Sequence, residues 1–139
     1  MNRQELVSRL TTCDFKQESV ETVSQWIIFH KAHAKEIVDI WTTECQRAPV
    51  KRILIFFYIA NDVIQRSRKK NTEFPDLFCE AFKQLFASGL LLKCDQQVNS
   101  SIRRTLQILK TRGFFSDSQI LELRQTIAKT EVCDFVHLA

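Results

Sequence analysis

Glycine and proline are nearly missing from this chain, with two of each in 139 residues. Hairpins and sheet turns draw on both, so the scarcity removes most of the material from which strands are connected. No run of 18 apolar residues occurs, and the first residues lack the apolar core of a secretory leader. The expectation is a soluble, intracellular protein with no membrane contact. Cys13, Cys45, Cys79, Cys94 and Cys133 are odd in number and scattered, without a CxxC spacing. They read as small apolar fillers in a reducing compartment. Catalytic motifs are missing too: there is no Gly-rich phosphate loop, no GxSxG, no HExxH and no DxDxDG calcium loop. His30 and His33 are three apart, but no third ligand accompanies them, so neither a metal nor a cofactor is expected. Asp62 has no neighbouring His to complete a base–orienter pair. The chain reads as a binding module and not an enzyme.

What remains is helical periodicity almost from end to end, an all-α fold class with one core. Eleven Phe and two Trp supply its volume, and 139 residues suffice to bury it. A short helix over residues 2–12 carries Leu6, Val7 and Leu10 on one side. A break at Asp14 to Ser19 follows, where Asp14 or Gln17 is placed to cap the next helix. That helix runs from Gln17 to Lys31 with Val20, Val23, Trp26, Ile27 and His30 inward, and the next from His33 to Arg47 with Ile37, Val38, Ile40 and Trp41 inward. Pro49 opens a central helix and Pro75 another, whose Phe78, Phe82, Leu85 and Phe86 face the core and which Gly89 ends. A bend with a short helix at LLLKCD leads to a helix from about Gln97, closed by Gly113. The last helix, Ser116 to about Lys129, packs Ile120, Leu123 and Ile127 and is opened by the capping-like SDSQ. Residues 1–132 form a single domain in this reading, with 133–139 as a C-terminal extension.

The chain is organised around Lys51 to Lys70, KRILIFFYIANDVIQRSRKK, read as one uninterrupted helix. Ile53, Leu54, Phe56, Phe57, Ala60, Val63 and Ile64 cover a face too broad for a surface helix, so it belongs at the centre. Yet Tyr58, Asp62, Gln65 and Lys69 fall at i, i+4, i+7 and i+11, one polar face, with Asn61 beside them. An Asn-Asp pair where the helix is deepest needs partners, since each unmet buried donor or acceptor costs about 1–3 kcal/mol. Either the protein supplies those partners or a ligand does. The surroundings are basic: Arg47 to Lys70 holds seven Lys/Arg against the single acid Asp62, within a chain of formal charge +4. Further on, Arg104, Ile108 and Arg112 follow at i, i+4 and i+8, two arginines flanking an aliphatic residue expected to be exposed. Arginine's planar fork suits phosphate, which it meets bidentately.

These residues resemble a known family. YIANDVIQRSRKK is similar to the signature helix of the CTD-interacting domain (CID), which reads the C-terminal domain of the largest RNA polymerase II subunit. QESVETVSQWIIFHKAHAKEIVDIW resembles that family's second and third helices, and RRTLQILKTRGFFS its seventh helix and the turn after it, with the RPRD-like branch the nearest in pattern. The resemblance implies a right-handed superhelix of seven or eight helices and a nuclear reader of phosphorylated heptad repeats in transcription termination or RNA 3′-end processing. It implies that Asp62 accepts a hydrogen bond from the heptad tyrosine and that Tyr58 and Asn61 meet peptide backbone. Gln65 lies on the same peptide-facing line, Ile108 walls the tyrosine pocket, and Gln17 and Ser19 touch peptide. Arg104 matches the arginine that holds phosphate on the second-position serine, and Arg112 another groove arginine. Lys69 and Lys70 add positive field. One departure is Ser101, a turn before Arg104, where one branch member has a lysine supporting the phosphate site.

Two other classes share the periodicity. The VHS/ENTH adaptors are similar superhelices that bind sorting peptides, ubiquitin or phosphoinositides. The Asn61-Asp62 pair with Arg104 argues against them. A weak RNA contact through the basic end of the central helix is the third reading, although no aromatics interleave the basic residues to stack bases. The domain itself is expected to be monomeric.

Overall fold

The computed structural model describes the backbone of residues 1–70 and 72–138 and the side chains of residues 1–70 and 72–132. Seven α-helices are present among them: α1 (Arg3–Thr12), α2 (Gln17–Phe29), α3 (Ala34–Arg47), α4 (Val50–Arg66), α5 (Phe74–Ala87), α6 (Gln96–Thr111) and α7 (Asp117–Leu138). Single 3₁₀ turns at Lys31–His33, Arg68–Lys70 and Leu90–Lys93 join them. The helices stack as the expected all-α right-handed superhelix, with α1 on α3, α3 on α5, α5 on α7, and α4 held between α2 and α6.

Local chemistry sets most of the boundaries. Asn2 caps α1 by accepting from the Glu5 N–H at 3.1 Å, and Asp95 caps α6 through the Val98 N–H at 2.8 Å. The SDSQ segment forms a reciprocal capping box: Ser116 Oγ accepts from the Gln119 N–H and Gln119 Oε1 from the Ser116 N–H. At the end of α6, Gly113 adopts φ 77°, and the N–H groups of Gly113 and Phe114 return to the carbonyls of Lys110 and Leu109. That pairing is a Schellman close, which needs the left-handed residue glycine tolerates.

Three boundaries differ from expectation. The residue capping α2 is Lys16, with no side-chain bond; Asp14 instead accepts from the Lys16 N–H at 2.9 Å and tightens the turn before the helix. α4 ends at Arg66, not Lys70. Ser67 turns its hydroxyl back to the Ile64 carbonyl at 3.3 Å, and the basic residues that follow wind as a 3₁₀ turn. α7 continues beyond Lys129 to Leu138. The side chains of residues 133–139, expected as an extension, lie outside the described residues, Cys133 with them.

The core is aromatic. Trp41 is fully buried, with the rings of Phe78, Phe82, Phe57 and Phe56 centred 5.1, 5.7, 5.8 and 6.2 Å away, mostly edge-to-face. Its indole N–H donates to the Phe56 carbonyl at 3.0 Å, so the one polar atom of this side chain is satisfied inside the core. Leu54, Trp26 and His30, expected inside, are only half-buried, while Ile28, Ile55 and Ile59 are buried. Cys13, Cys45 and Cys79 are buried free thiols, as expected of fillers, whereas Cys94 is only half-buried. Arg52 of α4 reaches over the end of α1 and donates to the carbonyls of Leu10 at 3.2 Å and Cys13 at 2.8 Å. These are orphan acceptors of a helix end, and a guanidinium suits them. The bond pins the α1–α2 turn against α4.

Candidate functional site

α4 is buried on three sides, and its fourth is the site. Tyr58, Asn61, Asp62 and Gln65 are all half-buried, so the polar pair lies on the rim of the core and not at its deepest point. The helix itself supplies their first partners from one turn onward. Gln65 Nε2 donates to Asn61 Oδ1 at 2.9 Å, and Arg66 Nε donates to Asp62 Oδ2 at 2.6 Å. Both are i,i+4 pairs, the spacing at which helical side chains meet. Arg66 also pairs with Glu21 of α2 at 2.9 Å, and Glu21 accepts from Gln17 Nε2 at 3.0 Å. A chain of charge and amide therefore runs Gln17–Glu21–Arg66–Asp62 across the two helices. The hydrogen bond to Asp62, and then the two carboxylate fields, raise the proton affinity of Arg66 above its ordinary value.

The two expected contact residues of α2, Gln17 and Ser19, stand in its first turn, beside the pinned α1–α2 turn. Ser19 Oγ accepts from the Asp14 N–H at 3.1 Å and donates to Cys13 Sγ at 3.4 Å, so this hydroxyl is engaged in shaping the turn. Phe15, 55% exposed, stands edge-on to Tyr58 with ring centroids 6.1 Å apart. Its ring extends the apolar wall beside Tyr58 toward solvent.

The opposite wall is α6. Arg112 Nη1 donates to Gln65 Oε1, which ties the C-terminal end of α6 to α4. Arg68 then donates to the Arg112 carbonyl at 3.2 Å and lies over the Phe114 ring at 4.7 Å. Ile108 is half-buried one turn before Arg112 on the same flank. The structure thus joins Asn61, Gln65 and Arg112 directly and aligns Ile108 with them. Arg104 is placed differently. It is exposed on the outer crest of α6 and lines a hollow toward α7 with Arg103, Gln107 and Arg124. Ser101 is half-buried, and its carbonyl accepts from Thr105 Oγ1 at 3.0 Å. Lys69 and Lys70 are exposed on the 3₁₀ turn, where Lys70 joins Ile28, Phe29 and Arg66 around a second hollow of about 370 Å³.

Sequence reasoning missed Phe15, Glu21, Arg66 and Arg68. Arg66 was findable, since it stands four residues after Asp62 with the opposite charge. Glu21 and Arg68 act across helices, and no local spacing announces them.

A family model described as CID domain matches residues 4–123. Regulation of nuclear pre-mRNA domain-containing protein 1A of Homo sapiens is 33% identical over 126 residues, covering 88% of this chain and 39% of that protein. Protein 1B of Mus musculus is 34% identical over 119 residues, covering 86% and 36%. The chain therefore spans well under half the length of these relatives. Among solved structures, the rpr of pcf11 superposes with a TM-score of 0.75 at 15% identity, over 92% of this chain and 99% of that one. The yeast Nrd1 CID in complex with Sen1 NIM1 gives 0.70 at 17%, over 90% and 98%. At these identities the likeness to the two structures is one of fold. With the family model matching residues 4–123 and the relatives 33–34% identical over 86–88% of the chain, the protein belongs to the CID domain family.

Proposed function

We propose that this domain binds phosphorylated heptad repeats of the RNA polymerase II C-terminal domain in the groove between α4 and α6, with the α1–α2 turn as its third side. The protein acts in the nucleus, in transcription termination or RNA 3′-end processing. The observation that carries the reading is the polar line of half-buried Asn61 and Gln65 and exposed Arg112, which crosses from α4 to α6 beside Tyr58, Asp62 and Ile108. Such a line offers donors and acceptors to an extended peptide, next to an apolar wall for one aromatic side chain. Asp62 suits a tyrosine hydroxyl: Arg66 holds Oδ2 and fixes the carboxylate, which leaves Oδ1 to accept. The names of the curated relatives speak of nuclear pre-mRNA, and the Nrd1 CID was solved in complex with Sen1 NIM1, both consistent with peptide recognition in the nucleus.

The preferred mark is the second-position phosphoserine, with Arg104 as its principal ligand and Arg112 as a further cation. Lys69 and Lys70 contribute field, and Gln17 and Ser19 flank the peptide. One tyrosine and one phosphate present little area, so single repeats bind weakly and tandem repeats raise occupancy through effective concentration. Phosphate carries about −1.5 to −2 charge near neutral pH, so affinity falls as salt rises.

The test is fluorescence anisotropy with two-repeat peptides that are unmodified, phosphorylated on the second serine or phosphorylated on the fifth. Tightest binding to the second-serine form, with the preference lost in Arg104→Ala, is the expected outcome. Absence of binding to all three peptides, or retention of the preference in that variant, overturns the reading or its phosphate ligand respectively.

A further inference from the structure

Between α6 and α7 lies a hollow of about 480 Å³ whose charge is carried by arginines from both helices: Arg103 and Arg104 on α6, Arg124 on α7. Leu106 and Ile127, both buried, contribute to its lining. The three guanidinia are not equivalent. Arg103 is neutralised by Glu131 at 2.5 Å and also donates to Asn99 at 2.6 Å. Arg124 donates to a neutral acceptor, Gln107 Oε1, at 2.7 Å, and among the described residues neither Arg124 nor Arg104 has a carboxylate partner. Gln107 also donates to Thr111 Oγ1 at 3.4 Å, which holds its amide with the oxygen toward Arg124. The two uncompensated cations thus share one concavity, and one of them is held in place by an amide that leaves its charge intact.

Position on α6 sets Arg104 between this hollow and the flank of the helix that faces α4. Arg104 is four residues from Ile108, on the flank toward α4, and three from Gln107, on the flank toward α7. It stands on the crest between the two. A phosphoryl group drawn to Arg104 from a peptide in the groove would stand at the edge of the hollow that Arg124 lines.

We infer that Arg124, oriented by Gln107, is a second phosphate ligand of this domain, forming with Arg104 a two-arginine clamp that spans α6 and α7 and takes the phosphate of a phosphoserine-bearing peptide. The clamp rests on the peptide-binding reading above and deepens it. Two guanidinium forks on one phosphate match its three oxygens and its charge, whereas a single exposed arginine matches half of either. The apolar lining strengthens the attraction by excluding water from one side.

The experiment measures anisotropy for wild type, Arg124→Gln, Gln107→Ala and Arg104→Ala against the unmodified and second-serine phosphorylated two-repeat peptides. The arginine Nε–Hε resonances are followed by NMR during the same titrations. Expected are a loss of about fivefold in affinity for the phosphopeptide in Arg124→Gln, little change for the unmodified peptide, and a wild-type shift of the Arg124 resonance with the phosphopeptide alone. Gln107→Ala gives a smaller loss of the same kind. If wild type prefers the phosphopeptide and only Arg104→Ala loses that preference, the clamp fails and the peptide reading stands. Should Arg124→Gln weaken both peptides equally, Arg124 is a general source of field and the clamp fails again. If wild type binds neither peptide, the reading of the groove fails and takes the clamp with it.

Discussion

Gln65→Glu is the substitution that most sharply interrogates the bridge between α4 and α6. In the native protein the Gln65 amide faces two ways, donating to Asn61 at 2.9 Å and accepting from Arg112. A carboxylate keeps the second bond and charges it but cannot make the first. Losing the neutral donor costs about 1 kcal/mol. Pairing the introduced carboxylate with Arg112, a half-exposed position against an exposed one, returns about 0.5 kcal/mol. Net stability should therefore drop by no more than about 1 kcal/mol, and the variant folds. Binding responds differently, because the new carboxylate neutralises Arg112 and repels phosphate from the same spot. An exposed charge of this kind is worth about 1 kcal/mol, so the ratio of phosphorylated to unmodified affinity should fall about fivefold. Using that ratio removes any contact Gln65 itself makes, since both peptides lose it alike. Gln84→Glu, an exposed change on α5, controls for net charge. The deficit should shrink in 0.5 M salt, where the screening length is roughly 4 Å. Anisotropy at two salt concentrations is the assay. An unchanged affinity ratio for Gln65→Glu would show that Arg112 does not face the phosphate, and the groove arginine would have to be sought elsewhere.

Asp62→Asn should weaken phosphorylated and unmodified peptides by a similar factor, about tenfold, because it removes a charge-assisted acceptor for the tyrosine and not a phosphate ligand; a loss confined to the phosphopeptide in the anisotropy assay would contradict that role. Arg52→Met removes both bonds to the α1 carbonyls and should lower stability by about 2 kcal/mol in urea unfolding, with the amides of the α1–α2 turn exchanging faster; a change below about 0.5 kcal/mol would mean the pin carries no weight. Burial pushes the Cys79 thiol up to about 11 from an ordinary 9.0, with nearby acids adding to the effect. The unfolded thiol therefore ionises first, and this group's contribution to stability, full below pH 9, declines between pH 9 and 11. Cys79→Ser should flatten that decline in denaturant titrations across the window, and an unaltered slope would refute the assignment.

The helices were legible because their apolar positions repeat with helical period and because capping residues are local. Ser116 with Gln119, and Gly113 after Thr111, announce themselves within four residues. The end of α4 was not legible. RSRKK has good helix propensity, and the stop comes from Ser67, buried against the rest of the fold, whose hydroxyl turns back to Ile64. The site divides in the same way. Tyr58, Asn61, Asp62 and Gln65 share a face by spacing alone, and the structure joins two of them to Arg112 or Arg66. How deeply Asn61 and Asp62 are buried could not be read, because it depends on where α2 and α6 stand. Glu21 and Phe15 escaped for a related reason: their importance lies in what α2 and its preceding turn are pressed against.

α4 has two duties on opposite faces of one rod. Phe56, Phe57 and Val63 hold the interior together, while Tyr58, Asn61 and Asp62, interleaved with them in the chain, face outward to the groove. A shift of α4 by a fraction of a turn would misplace both sets at once, so sequence drift along this helix is doubly constrained. The outer slopes of α6 and α7 carry no such burden: Arg103, Arg104, Gln107 and Arg124 are exposed and leave the interior untouched when replaced. If the domain reads phosphate as proposed, that preference has an open route through those positions, where one cation can be exchanged for another without disturbing the fold. For an engineer the same asymmetry marks α6 and α7 as the place to write new specificity, and α4 as the part to leave alone.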